Sequence, residues 1–193
     1  MKRITLLLVL CLASCTPSPP TPKPRPAPPY DAGLRDGAVV FIRGGLLVGP
    51  IHRQTDSTLT HAAIVLFRDG RPWVYEATTP AVQKTPWGEY VAKLEAHRQQ
   101  LFFEKRDFDW FMIQPQSVYT PYALNAMKWH AESQLGRPYM LRGLWKGREV
   151  RGIFCSQFVA DVIEKSGKIV SAHWRESPGS LYQKLLPLYE AIP

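Results

Sequence analysis

The chain has 193 residues, a formal net charge of +8 and 45% hydrophobic residues. Its length fits one domain that can bury a core of ordinary size, preceded by a short extension. The basic residues are scattered rather than grouped in runs, so we expect no nucleic-acid partner and only a general attraction to anionic surfaces.

The first residues have the order of a secretory signal peptide. Within residues 1–14, Lys2 and Arg3 precede an apolar run that is too short to span a bilayer, and small residues follow. The sequence L-A-S-C ending at Cys15 resembles the lipobox of bacterial lipoproteins, which implies that Cys15 is lipidated and begins the mature chain. We expect an exported protein, lipid-anchored to a bacterial membrane at its periplasmic face or the cell surface. Ordinary secretion after cleavage nearby is the alternative.

A proline-rich segment separates this leader from the rest of the chain. Eight of the fourteen residues in 16–29 are proline, which favours an extended, semi-rigid spacer of roughly 40 Å. We therefore divide the precursor into a signal peptide (1–14), a lipidated N-terminus with linker (15–29) and one folded domain (30–193).

Cys155 is the only cysteine outside the leader and the anchor position. It stands at the start of the segment G-I-F-C-S-Q-F-V-A-D-V-I-E-K (152–165), whose apolar residues recur at helical spacing, and Gly167 is placed to stop that helix. The unpaired N–H groups and dipole of a helix start favour a thiolate, which is nucleophilic. A small apolar residue buried at a helix end is the structural alternative.

Two stretches predict strands. Residues 38–42 are apolar, rich in β-branched side chains and bounded by glycines, which is typical of a buried strand. Residues 60–78 hold two apolar runs on either side of Asp69-Gly70, the strongest hairpin signal in the chain. A two-residue turn there pairs Arg68 with Arg71.

In that register His61 and Glu76 share one face of the sheet. They are diagonal neighbours about 7 to 8 Å apart between backbones, which their side chains can bridge. A four-residue loop would keep the face but increase the separation, and a three-residue loop would put them on opposite faces. Glu76 needs a partner because an unpaired buried carboxylate is costly. His61 can supply it, although a structural histidine at the sheet rim is the alternative.

The remaining segments carry weaker signals. Residues 92–103 are ambiguous between helix and loop, and residues 110–113 predict another strand. Thr120-Pro121 predicts a helix start and Gly136 its stop, while residues 180–189 predict a short amphipathic helix interrupted at Pro187. The other histidines lack an acid on a predictable face and are assigned surface or packing roles: His52, His97, His130 and His173.

The sequence resembles the circularly permuted papain-like (NlpC-type) cysteine hydrolases, most closely the YiiX-like group. The motifs are T-H-A-A-I-V around His61, V-Y-E-A around Glu76, and G-R-P-Y followed by F-C-S-Q-F-V around Cys155. In papain the cysteine comes first, whereas here the order is His, Glu, Cys. The resemblance implies an α+β permuted papain-like fold, in which a small antiparallel sheet packs against helices and the cysteine begins one of them.

The resemblance also implies roles for these residues. Cys155 would be the nucleophile, His61 the general base and then acid, Glu76 the group that orients the imidazole, and Tyr139 a hydrogen-bond donor near the oxyanion. Two positions depart from the family pattern, since Asp36-Gly37 reverses its usual Gly-Asp and Met140 replaces its usual aspartate.

The predicted function is hydrolysis of an amide bond in a cell-envelope molecule, such as a peptidoglycan peptide, through a thioester. One alternative is an acyl-lipid hydrolase or acyltransferase with the same triad, its acyl groove formed by Leu141, Leu144 and Trp145. Another is a non-catalytic envelope binding lipoprotein. No cofactor is required and no Cys or His cluster has metal-ligand spacing. We expect a monomer whose partners are its substrate and the membrane.

Overall fold

The computed structural model describes residues 33–45, 57–104, 107–141 and 152–192. These form one antiparallel sheet of six strands with helices on both faces. Several predictions lie outside the described residues: the signal peptide, Cys15, the linker, His52, Leu144 and Trp145.

The strands follow the order β4-β3-β2-β1-β5-β6 across the sheet. Their bounds are β1 (Val39–Gly44), β2 (Leu59–Arg68), β3 (Arg71–Ala77), β4 (Val82–Pro86), β5 (Phe108–Pro115) and β6 (Tyr189–Ala191). The helices are α1 (Trp87–Phe103), α2 (Pro121–Ser133), α3 (Cys155–Glu164) and α4 (Pro178–Leu185), with a 3-10 turn at His173–Arg175. In this part of the chain, no helix is long and apolar enough to cross a bilayer.

The predicted hairpin forms the centre of the sheet. Arg68 pairs with Arg71 and Val65 with Val74, as the two-residue turn requires. Asp69 and Gly70 both have positive φ, 50° and 72°, which is the backbone of a type I′ turn. The register predicted from the Asp-Gly dipeptide is therefore confirmed.

Each face of the sheet has its own core. Alternate residues of β2 divide between them, with Ala63 and Val65 toward α1, and Ile64 and Leu66 toward the other three helices. Helices on both faces explain why β2 is apolar on both sides rather than alternating with polar residues. His61 has the same parity as Ala63, so it belongs to the α1 face.

The helix that begins with Cys155, α3, lies deep in the core on the face of the sheet opposite α1. Every residue from Cys155 to Ile163 is buried, so its surroundings are those of a core helix rather than a surface one. Its apolar residues, including Phe158 and Val162, pack against β2 and β3. The helix ends at Glu164, and Gly167 follows with φ 75°, as predicted.

The structure resolves the ambiguous prediction for residues 92–103. The ambiguous residues 92–103 are helical and belong to a longer helix that starts at Trp87.

The C-terminal helix begins at Pro178 with a Ser177 cap and ends at Leu185, before Pro187. The last predicted helical residue, Tyr189, instead opens β6, which pairs with the edge of β5. The helix starting at Thr120 is confirmed, with its hydroxyl accepting from Ala123 N.

The reversed pair Asp36-Gly37 has a structural role here. Asp36 accepts a hydrogen bond from Phe67 N at 2.7 Å and pairs with Lys128 at 2.8 Å. Gly37 has φ 89°, and a Cβ there would lie 2.6 Å from the Tyr119 ring, so only glycine fits. The pair thus fixes the entry to β1.

Candidate active site

A bulge in the sheet immediately precedes His61. Ile42 of β1 lies opposite His61, and Arg43 lies opposite Leu59, so Thr60 is an extra residue on β2. The Thr60 hydroxyl donates to the Gly44 carbonyl at 2.9 Å, and this hydrogen bond stabilises the bulge. Bulges increase local twist and redirect side chains. The His61 side chain, next along the strand, lines a cleft.

The Glu76 carboxylate is held at both oxygens. Its Oε2 lies 2.7 Å from His61 Nε2, and its Oε1 accepts from Gln83 Nε2 at 3.0 Å. Burial alone would raise the pKa of Glu76, but the hydrogen bond and charge of His61 lower it below its ordinary value. The group is therefore a carboxylate at neutral pH.

The Cys155 sulfur lies at the first turn of α3, 1% exposed. Burial raises the pKa of the thiol, but the charge and hydrogen bond of His61 and the backbone N–H groups of Ala62 and Ser156 lower it below its ordinary value. These donors stabilise a thiolate, in keeping with the helix-start argument. Since the residue before Ala62 is His61, one short piece of β2 supplies two of the groups that lower the pKa of the thiol.

His61 connects the other two groups. Burial alone would lower its pKa, but the charge and hydrogen bond of Cys155, together with those of Glu76, raise the pKa to about 10. Glu76 occupies Nε2, which leaves Nδ1 for the sulfur. These shifts favour a thiolate, an imidazolium and a carboxylate in series, which is the charge distribution that a cysteine nucleophile requires.

Tyr139 lies beside this series at the cleft wall. Its backbone forms a parallel bridge with Ile153, two residues before Cys155. The approach is close, since a Cβ at Gly152 would lie 2.4 Å from Met140 Cβ and 2.8 Å from the Pro138 carbonyl oxygen. Burial and the charges of Cys155 and Glu76 raise the pKa of Tyr139. Its hydroxyl is thus protonated, and able to donate, at neutral pH.

The cleft has a volume of about 410 Å³. Its walls come from the β1–β2 bulge, the end of β3, helix α1, the start of β5 and the segment after α2. Residues from these elements that line it are Ile42, Gly44, Gly45, Thr60, His61, Glu76, Thr78, Thr79, Tyr90, Lys93, Leu94, His97, Phe108 and Tyr139. This size suits a short stretch of peptide or a similar small group.

Four residues of the site were missed by sequence reasoning. Gln83 lies directly opposite Glu76 on β4, a pairing that could have been found only by extending the hairpin register to a third strand. Tyr90, Lys93 and His97 lie on α1, whose start was not predicted. His97, which the sequence analysis assigns to a surface or packing role, both lines the cleft and packs edge-on against Phe108.

A second cluster of titratable groups lies at the far end of α3. Folding brings ligand-type atoms of Asp161, Glu164 and His173 within 4.8 Å of one another, so His173 has an acid partner that the sequence did not reveal. Asp161 already accepts from Ser171 Oγ at 2.7 Å, and Glu164 accepts from Ser171 N at 3.0 Å. These bonds tie the loop after α3 to the helix, which is a structural role.

Two features of this structure are those of a circularly permuted papain-like fold. The antiparallel sheet has helices on both faces, and Cys155, at a helix start, comes after His61 in the chain. A family model described as permuted papain-like amidase enzyme, YaeF/YiiX, C92 family, matches residues 33–175. The chain belongs to this amidase family, and the predicted resemblance and fold class are confirmed.

A solved structure agrees with this assignment of fold. The chain is similar to the crystal structure of metalloprotein yiiX from Escherichia coli O157:H7, with a TM-score of 0.57 and 17% identity. The match covers 82% of this chain and 96% of that one. No curated protein sequence matches the chain.

Proposed function

We propose that the protein is a cysteine amidase of the cell envelope that hydrolyses its substrate through a thioester on Cys155. The observation that carries this proposal is the position of His61, which lies 2.7 Å from the Glu76 carboxylate and whose charge lowers the pKa of the Cys155 thiol. A merely buried thiol has no need of an imidazole with a raised pKa beside it.

The first half of the reaction forms the thioester. The Cys155 thiolate attacks the amide carbon, and the carbonyl oxygen takes up the displaced electron pair. His61, protonated at rest, then gives its proton to the departing nitrogen as the C–N bond breaks. Glu76 keeps the imidazole oriented and stabilises its charge.

The second half regenerates the enzyme. Neutral His61 removes a proton from water, and the resulting hydroxide attacks the thioester carbon. The C–S bond breaks, the sulfur leaves as a thiolate, and His61 retains the proton. The products are a carboxylic acid and an amine, and no cofactor is consumed.

The tetrahedral oxyanion needs donors near the sulfur. The Cys155 backbone N–H belongs to the first turn of α3, where N–H groups lack intrahelical acceptors. The Tyr139 hydroxyl is the second candidate donor, because it lies at the cleft wall and its raised pKa keeps it protonated.

The proposed substrate is a peptide of the cell wall. The support for it is the predicted leader, lipobox cysteine and proline-rich spacer, which would hold the domain about 40 Å from a membrane. The family description adds that amide bonds are the class of bond cleaved.

Thiol reactivity tests the proposed triad without a known substrate. We expect iodoacetamide to label Cys155 rapidly well below pH 8, and His61→Ala to slow that labelling about 10²-fold. Slow labelling of both proteins would show a structural thiol and reject the hydrolase. Thermal denaturation of the variant controls for misfolding.

Product analysis tests the substrate. The purified protein is incubated with sacculi and, separately, with phospholipid vesicles, alongside Cys155→Ala. Muropeptide release that disappears in the variant would support the proposal. Release of fatty acid would instead favour the acyl-lipid enzyme, and neither product would favour a binding lipoprotein.

A further inference from the structure

One face of helix α1 carries three residues with polar side chains that line the cleft. Tyr90, Lys93 and His97 follow one another at spacings of three and four residues, which places them on a single side of the helix. All three line the same cleft as His61, together with Leu94. A hydroxyl, an ammonium and an imidazole are thus carried by one rigid element.

The Tyr90 hydroxyl is the most buried of these donors. The residue is 4% exposed, and the hydroxyl lies beside the Glu76 carboxylate without a partner in good hydrogen-bonding geometry. Burial raises its pKa well above the ordinary value, so it remains an O–H donor. A buried hydroxyl in a cleft wall is costly unless something in the cleft accepts its proton.

Lys93 supplies a positive charge that is available to a ligand. Its ammonium pairs with Glu89 at 2.7 Å, but both side chains are more than half exposed, at 62% and 55%. Exposed pairs of this kind contribute little, so Lys93 can exchange Glu89 for another anion.

The cleft has little negative charge of its own to oppose such an anion. Among the lining residues within the described ranges, Glu76 is the one carboxylate. Its two oxygens are already occupied by His61 and Gln83. A carboxylate that entered beside α1 would therefore meet cationic and neutral donors.

We propose that Tyr90, Lys93 and His97 form a subsite for a carboxylate of the substrate, so that the enzyme selects an acidic residue close to the scissile amide. This inference rests on the proposed amidase function for its biological meaning, although the binding itself requires no turnover. A peptide is the proposed occupant because Tyr90, Lys93 and His97 place three polar groups on this wall, with Leu94 among them. Thr78 and Thr79 line the cleft as well.

Binding to an inactive protein tests the subsite directly. The full-length protein with Cys155→Ala is titrated by calorimetry with acetyl-Ala-Glu-Ala-amide and with the isosteric acetyl-Ala-Gln-Ala-amide. We expect the glutamate peptide to bind about 5- to 10-fold more tightly, as one charge-assisted contact in a partly exposed site would provide. The preference should shrink at high salt.

Variants then assign the preference to α1. Adding Lys93→Gln should reduce the difference between the two peptides to less than about twofold, and Tyr90→Phe should weaken the glutamate peptide about threefold. Lys165→Gln removes the same charge from an exposed position that does not line the cleft, and should leave the preference intact. Lys93 is exposed, so its variant tests the subsite even if Tyr90→Phe is unstable.

Three outcomes would overturn the subsite. Equal binding of the two peptides, no binding of either, or a preference that survives Lys93→Gln would each reject it. Tighter binding of monomeric dihexanoyl phosphatidylglycerol, lost in Lys93→Gln, would reassign the face to a phospholipid headgroup. Because Cys155→Ala cannot turn over, none of these results depends on whether the wild-type protein is an amidase.

Discussion

Among the residues that the structure describes, two histidine–carboxylate pairs differ in their surroundings. His61 and Glu76 are 2.7 Å apart, with side chains 17% and 10% exposed, whereas His173 and Asp161 are 3.3 Å apart and His173 is 61% exposed. Only the first pair has a thiol on the free side of the imidazole. The comparison shows which features distinguish a histidine–carboxylate pair suited to catalysis from one that only stabilises the fold.

Burial and a third group account for the difference. Water screens the outer pair, so its carboxylate serves mainly as an acceptor for Ser171. In the inner pair each charge stabilises the next, and the pKa of His61 rises to about 10 while that of Cys155 falls. Proton transfer chemistry is therefore expected at the inner pair alone.

The largest effect should come from removing the inner carboxylate. Glu76→Gln preserves shape but leaves the imidazolium without its counter-charge, so we expect amide hydrolysis to fall about 10²- to 10⁴-fold. Muropeptide release from sacculi measures this. Labelling of Cys155 at pH 6.5 should slow as well, since a less basic His61 stabilises the thiolate less. Activity close to wild type would contradict the role given to Glu76.

The pH dependence should separate the thiol from the imidazole. Cys155 has a lowered pKa, so alkylation should decline only as the pH falls through that lowered value, and should stay fast in alkaline solution. Hydrolysis also needs the proton on His61, so it should decline as the pH rises through about 10. Iodoacetamide rates and turnover, measured from pH 4 to 11, give apparent values that belong to the coupled pair. Identical profiles for the two assays would be inconsistent with this assignment.

A smaller effect is expected from removing Gln83, the second hydrogen-bond partner of the Glu76 carboxylate. Gln83→Ala removes the donor to Glu76 Oε1, which should allow the carboxylate to rotate and should reduce hydrolysis about 2- to 10-fold. Lys84→Ala is a matched control on the same strand, because Lys84 bonds Glu132 instead. Equal losses in the two variants would indicate damage to β4 rather than a role for Gln83.

The smallest catalytic effect should come from the outer pair. Asp161→Asn weakens bonds to Ser171 and His173, so we expect about 1 kcal/mol of lost stability and a melting temperature lower by about 2 to 4 °C. Iodoacetamide labelling at pH 7 should stay within twofold of wild type. A loss of labelling comparable to that in Glu76→Gln would show that the outer pair also affects the reactivity of Cys155, which would contradict this prediction.

The sequence identified the parts of the site that rest on local signals. Asp69-Gly70 determines the register of β2 and β3, and with it the shared face of His61 and Glu76. The helical spacing after Cys155 and Gly167 locate α3. These features depend on a few neighbouring residues, which is why a single sequence contains them.

The remaining parts depend on contacts between distant segments. The Thr60 bulge arises from pairing with β1, and no turn residue or glycine marks it. Helix α1 has polar residues on the face that lines the cleft, so its pattern is not clearly amphipathic and its start was not predicted. The partnership of His173 with Asp161 likewise requires the chain to fold back after α3.

The backbone N–H of Ala62 helps to lower the pKa of the Cys155 thiol, and this has a consequence for how the sequence can vary. Position 62 contributes through its peptide group, so several small side chains would be compatible with the same chemistry, whereas proline would delete the donor. Strand β2 also carries the imidazole one residue earlier, so both groups shift together if that strand slides. The constraint at this position is therefore one that a comparison of side chains alone would overlook.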